Sequence, residues 1–162
     1  GEDSKSPRQF FNGVNPIMIE AVKDVPEQLS PELVEHFVSD GTTNLDALSK
    51  ANRLFYVNYE ELDQMVKNPH QAYPEAYNNP TYTTDQEILD RVGKEPRYFK
   101  APMILLQLSP NLEDLQILGI QLDRSPGSKV YTALNSDNDE WQFAKTTVAT
   151  ADSQYHEWVS HL

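Results

Sequence analysis

The chain has no cysteine, so disulfide staples, thiolate nucleophiles and cysteine-held metals are excluded, and the redox state of its compartment leaves no mark. Basic residues are scarce: 13 Lys and Arg stand against 25 Asp and Glu, a formal net charge of −12. A phosphate backbone or an anionic bilayer needs a clustered basic footprint. The cations here are scattered, which argues against nucleic acid as a partner and leaves membrane association unencoded. No apolar run approaches the roughly 20 residues that cross a bilayer. The opening GEDSKSPRQF is too polar for a signal peptide, which for a piece of a longer chain decides nothing. Glycine is thin as well, six in 162 residues. None of them builds the G-x-G of a phosphate loop or the G-x-S-x-G of a nucleophile elbow.

What is there reads as one domain of alternating helical and extended stretches. Asn12-Gly13 and Asn15-Pro16 break the chain early, and Ile17, Ile19, Ala21 and Val22 read as a weakly amphipathic helical segment ahead of Pro26. SPELVEHFVSD opens with Ser30 as N-cap and Pro31 at the first helical position, and Leu33, Val34, Phe37 and Val38 make its apolar stripe. RLFYVNY is β-rich, and EELDQMV reads as a helical turn. Residues 68–84, with Pro69, Pro74 and Pro80 among Asn and Tyr, read as a surface loop. Two apolar runs, Met103–Leu108 and Leu115–Leu122, flank a Ser-Pro-Asn turn and predict a β-hairpin, to which KVYTAL adds a third strand.

The most regular segment runs from Asp139 to Leu162. Trp141, Ala144, Val148, Ala151, Tyr155, Trp158 and Leu162 recur at spacings of 3 and 4, the seam of one helix. Asp137 and Asp139 supply its cap and the charge that the N-terminal dipole favours. A helix about 33 Å long, bulky at both ends of its seam, is expected to need partner helices that this chain lacks. It carries His156 and His161. Five residues of straight α-helix leave these roughly 140° apart around the axis, so they could share one ligand only through a π-turn near Tyr155–Leu162. The plain alternative makes His161 a hydrogen-bonded core histidine and His156 a solvent-facing one. Two histidines are also too few for a metal, and His36 and His70 read as surface residues. The acidic pairs Glu60-Glu61 and Glu113-Asp114 read as solvated faces.

A resemblance reorders these readings. WQFAKTTVATADSQYHEWVSHL resembles the lipoxygenase pattern W-x-x-A-K…D-x-x-x-H-x-x-x-x-H-L. FFNGVNPIMI is similar to the family's F-L-N-G-x-N-P, RLFYVNYEELD to I-F-I-V-D-x-x-x-L-D, and APMILLQL…ILGIQL to A-P-x-x-L-L…P-I-A-I-Q-L. The blocks stand in the family's order from Phe10 to Leu162. Carried over residue by residue, the resemblance makes His161 the first metal ligand and His156 a neighbour of the site rather than a ligand. Leu162 and Glu157 are then substrate-pocket residues, although many members carry Gln where this chain has Glu157. Trp141, Ala144 and Lys145 are fold markers; Gly119 and Trp158 depart from the usual Ala and aliphatic residue.

The resemblance implies an α+β fold: helices, a β-hairpin or small antiparallel sheet, and a long C-terminal helix bearing the first metal-ligand histidine. This would be a fragment of the mainly helical lipoxygenase catalytic domain, with residues 139–162 beginning the central metal-binding helix. The parent protein is then expected to be a non-haem iron dioxygenase, manganese being possible. Such an enzyme inserts O₂ into a polyunsaturated fatty acid through a metal-bound hydroxide, giving a hydroperoxide of oxylipin metabolism. The alternatives are a lipid-binding or structural segment and a hydroperoxide isomerase. The next ligand is expected five residues past His161, beyond this chain, so the metal is incompletely liganded here and the isolated piece is expected to be inactive. Its partners would be the fatty acid, O₂ and the remainder of its own domain. Localisation stays open, a cytoplasmic setting with peripheral membrane contact being the working expectation.

Overall fold

The computed structural model describes residues 14–67 and 100–160. The helix order is α1 (Val25–Gln28), α2 (Pro31–Asp40), α3 (Leu45–Lys50), α4 (Glu60–Lys67) and α5 (Asn138–Ser160). The strands are β1 (Glu20–Ala21), β2 (Leu54–Asn58), β3 (Met103–Leu108), β4 (Leu115–Gln121) and β5 (Val130–Tyr131). All five strands form one antiparallel sheet whose spatial order is the chain order. The fold is therefore α+β, as expected, with the KVYTAL strand at the sheet edge as β5.

The two-residue period of the strands divides the core in two. Leu54, Tyr56, Met103, Leu105 and Val130 face one side, where they meet Val25, Leu29, Leu33, Phe37 and Leu45 of the N-terminal helices. Val57, Ile104, Leu106 and Ile120 face the other side and are covered by Ala144, Val148 and Ala151 of α5. These three α5 residues are 0%, 0% and 1% exposed. The expectation that the whole seam awaits outside helices is thus corrected from Ala144 to Ala151: small and β-branched side chains let α5 lie on the chain's own sheet.

Local chemistry accounts for the element ends. Ser30 Oγ accepts from the Leu33 amide at 3.2 Å, and Gly41 closes α2 at φ 72°, its amide reaching Phe37 O at 3.1 Å. At the start of α5, Asp137 and Glu140 cap each other's amides at 2.8 and 3.2 Å. Lys145 lies 5.9 Å over the Trp141 ring.

Three expectations are corrected. The stretch around Ile17–Val22 is not helical: Pro16–Met18 is a 3₁₀ turn capped by the Asn15 side chain, and β1 pairs with Phe55 and Tyr56. Sheet pairing outcompetes a weak helical moment there, and Ile17 is left 81% exposed. In α2 the buried stripe narrows to Leu33 and Phe37, with Val38 turned outward at 73% exposure. The π-turn is absent from Tyr155 to Ser160, where α5 stays α-helical. Regular i→i+4 bonding keeps the backbone groups of this stretch paired, and a five-residue histidine spacing does not by itself impose the rarer i→i+5 turn. The loop expected at 68–84 lies outside the described residues.

Candidate functional site

His156 and Glu157 lie near the C-terminal end of α5; His161 and Leu162 lie outside the described residues. Glu157 is exposed, and His156 is half-buried. Among the described residues, the structure brings His156 together with a polar cluster to which the sequence reading gave no role.

The centre of that cluster is Asp152, one α-turn before His156 and only 8% exposed. Its Oδ1 accepts the Tyr59 hydroxyl at 2.5 Å and the Asn15 amide at 3.2 Å. Its Oδ2 lies 3.5 Å from His156 Nε2. Tyr59 follows β2 directly and is fully buried. Burial pushes its phenol pKa far up, and the bond to Asp152 and the carboxylate's charge push the same way. A buried carboxylate needs such donors, because an unpaired one would be costly to desolvate. The Tyr155 ring stacks edge-on against both Tyr59 and His156, at 6.1 and 5.7 Å between centroids. Its hydroxyl donates to Glu61 at 3.4 Å, and its pKa is raised, first by burial and then by Glu61.

A cleft of about 640 Å³ opens beside this cluster, lined among others by Ile17, Glu60, Glu61, Tyr155, His156 and Val159. Its lining combines the carboxylates Glu20, Glu60 and Glu61 with the apolar Ile17, Met18 and Val159, which disfavours an anionic occupant. Among the described residues no three His, Asp or Glu converge where a metal ion could sit, and no helix is long and apolar enough to cross a membrane. Asp152 carried one readable signal: it precedes His156 by four residues, the spacing that puts two side chains together on a helix. Tyr59 and Asn15 carried none, being 93 and 137 residues away.

No family model matches the chain. It is 30% identical over 164 residues to the polyunsaturated fatty acid lipoxygenase ALOX15B of Rattus norvegicus, covering 99% of this chain and 21% of the relative. The human hydroperoxide isomerase ALOXE3 is 28% identical, over 99% of this chain and 20% of its own length. Among solved structures, a calcium-dependent 11R-lipoxygenase superposes with a TM-score of 0.56 at 26% identity, covering 93% of this chain and 19% of that one. The chain spans about a fifth of the length of the curated relatives it matches.

Proposed function

We propose that this chain, similar along nearly its whole length to lipoxygenases, forms the N-terminal part of a lipoxygenase catalytic domain whose parent enzyme inserts O₂ into a polyunsaturated fatty acid. The observation that carries this reading is the match along 99% of the chain to a lipoxygenase of 30% identity. The shared fold with an 11R-lipoxygenase supports it. In this reading residues 139–162 begin the metal-binding helix. His161 is one ligand of a non-haem iron, with manganese as the alternative, and His156 stands beside the site. Leu162 and Glu157 face the fatty acid.

A metal site of this kind takes three or more protein ligands. The described residues alone do not make one, so the partners of His161 come from elsewhere in the enzyme. When bound, the metal supplies a one-electron oxidant for breaking a bisallylic C–H bond. The work of this chain is positional. The sheet holds α5 through Ala144, Val148 and Ala151, and the Tyr59–Asp152 bond fixes the helix four residues before His156. A site held this way can keep a reacting carbon within reach of the metal without reorganising.

The hydroperoxide isomerase among the relatives favours a second reading, in which the parent rearranges a fatty-acid hydroperoxide instead of consuming O₂. Oxygen uptake with linoleate separates the two, since an isomerase consumes added hydroperoxide with no net O₂. The metal assignment is tested in the full-length protein by His161→Ala and His156→Ala. The first variant is expected to lose bound metal and turnover together. The second should keep most of its metal and lose rate or stability, as residues next to metal ligands do. Full metal content in His161→Ala would overturn the assignment.

A further inference from the structure

Asp152 and His156 form a pair whose geometry goes beyond anchoring a helix. His156 Nε2 is closed off from solvent and has no hydrogen-bond partner, although the side chain as a whole is 39% exposed along the cleft. A ring nitrogen that cannot reach water must be satisfied by the protein. The carboxylate oxygen 3.5 Å away, Asp152 Oδ2, is the acceptor placed to do it. Moving the imidazole by about 0.5 Å brings that contact into hydrogen-bond range. The Asp152 carboxylate is not free to turn away, because its other oxygen is held by Tyr59 at 2.5 Å and Asn15 at 3.2 Å.

We propose that Asp152 is the positioning residue for His156: it accepts the Nε2 proton and so selects the Nε2–H tautomer, leaving Nδ1 as the lone-pair nitrogen available to the cleft. The same carboxylate ties α5 to the segment after β2 and to the N-terminal turn. It thereby helps to set the rotation of α5 on the sheet. One carboxylate governs both the ring at the cleft and the seating of the helix. The effect expected on turnover rests on the reading of the parent as a metal enzyme; the tautomer does not.

Asp152→Asn separates positioning from anchoring. The amide oxygen still accepts from Tyr59 and Asn15, but its N–H₂ now confronts Nε2, which must give up its proton to be paired. Nitrogen NMR of labelled imidazoles in the 162-residue chain is expected to show His156 as Nε2–H in the wild type and in Tyr59→Phe, and as Nδ1–H in Asp152→Asn. An Nδ1–H ring in the wild type, or no tautomer change in Asp152→Asn, overturns the proposal, and the wild-type spectrum decides even where a variant fails to fold. In the full-length enzyme, Asp152→Asn is expected to lower kcat about tenfold to a hundredfold with metal content unchanged and KM within about twofold, the range typical of residues that orient a metal site's surroundings. A fall in melting temperature with kcat unchanged would mean that Asp152 only anchors the helix. His161→Ala run alongside identifies a failure of the metal reading, because retained metal there leaves the tautomer result standing.

Discussion

Gly119 of β4 is a position where one methyl group should be costly. A Cβ built on it would lie 3.0 Å from Val130 Cγ1 and 3.1 Å from Phe37 Cζ, inside ordinary van der Waals contact. Neither neighbour can retreat easily, since Phe37 is 4% exposed and Val130 5%. Two effects oppose each other in Gly119→Ala. Removing a glycine from a strand interior gains about 0.5–1 kcal/mol, whereas overpacking a well-filled core costs about 1–3 kcal/mol. The clash should win, giving a net loss of about 1 kcal/mol and a fall in melting temperature of roughly 2–4 °C. Truncating one neighbour should reduce the cost without abolishing it, because Val130 Cγ1 stays in place: in a Phe37→Leu background, Gly119→Ala should be less destabilising, with a coupling energy above about 0.5 kcal/mol. Urea unfolding of the four members of this cycle measures it. An additive cycle, or a Gly119→Ala chain as stable as the parent, would refute the packing argument. The family pattern carries Ala here, so the coupling would also show that Phe37 and Gly119 are matched to each other.

Two further perturbations test the polar core. Ser30→Ala removes both the cap of α2 and the 2.5 Å bond that Ser30 Oγ donates to Gln121 Oε1, a fully buried side chain. Losing a cap costs about 1 kcal/mol and orphaning a buried acceptor about 1–3 more, so a loss of about 2–4 kcal/mol in urea unfolding is expected; one below about 0.5 would show that water replaces the hydroxyl. Alkaline pH should destabilise the chain through Tyr56 and Tyr59. Burial pushes the Tyr56 phenol up from 10.0 to about 12, against the opposing pull of Arg124, and Tyr59 is raised as well. The fold thus favours the protonated phenols. Their contribution is intact below pH 10 and falls as pH rises through 10 toward 12, because the unfolded chain ionises first. For Tyr56 alone the shift is worth about 2–3 kcal/mol. Equal urea midpoints on either side of this window would contradict the burial of both rings.

The parts of the fold that were legible in the sequence are those fixed by short-range chemistry. Ser30 and Pro31 announce α2, the apolar runs around Ser109–Asn111 announce the β3–β4 hairpin, and the seam from Trp141 to Tyr155 announces α5. What was misread depends on partners distant in the chain. Ile17 to Val22 looks helical until β2 offers backbone groups to pair with, and Val38 belongs to an apolar stripe of which the fold buries only Leu33 and Phe37. The candidate site divides the same way. The histidines stand out by spacing and resemblance, whereas the link from Asp152 to Tyr59 and Asn15 is written in the folded chain alone. His161 and Leu162, on which the metal and substrate assignments rest, lie outside the described residues.

The order of strands bears on synthesis at the ribosome. Each strand pairs with the one made just before it, so the sheet can zip from its first edge as the chain emerges. The N-terminal helices are already present to cover one side. The other side is completed last, because Val57, Ile104, Leu106 and Ile120 share a core with Ala144, Val148 and Ala151, which join it only once α5 has been translated. For that interval the nascent chain carries a half-dressed sheet, greasy on one face and hydrogen-bonded throughout, which is the kind of surface that holdase chaperones recognise.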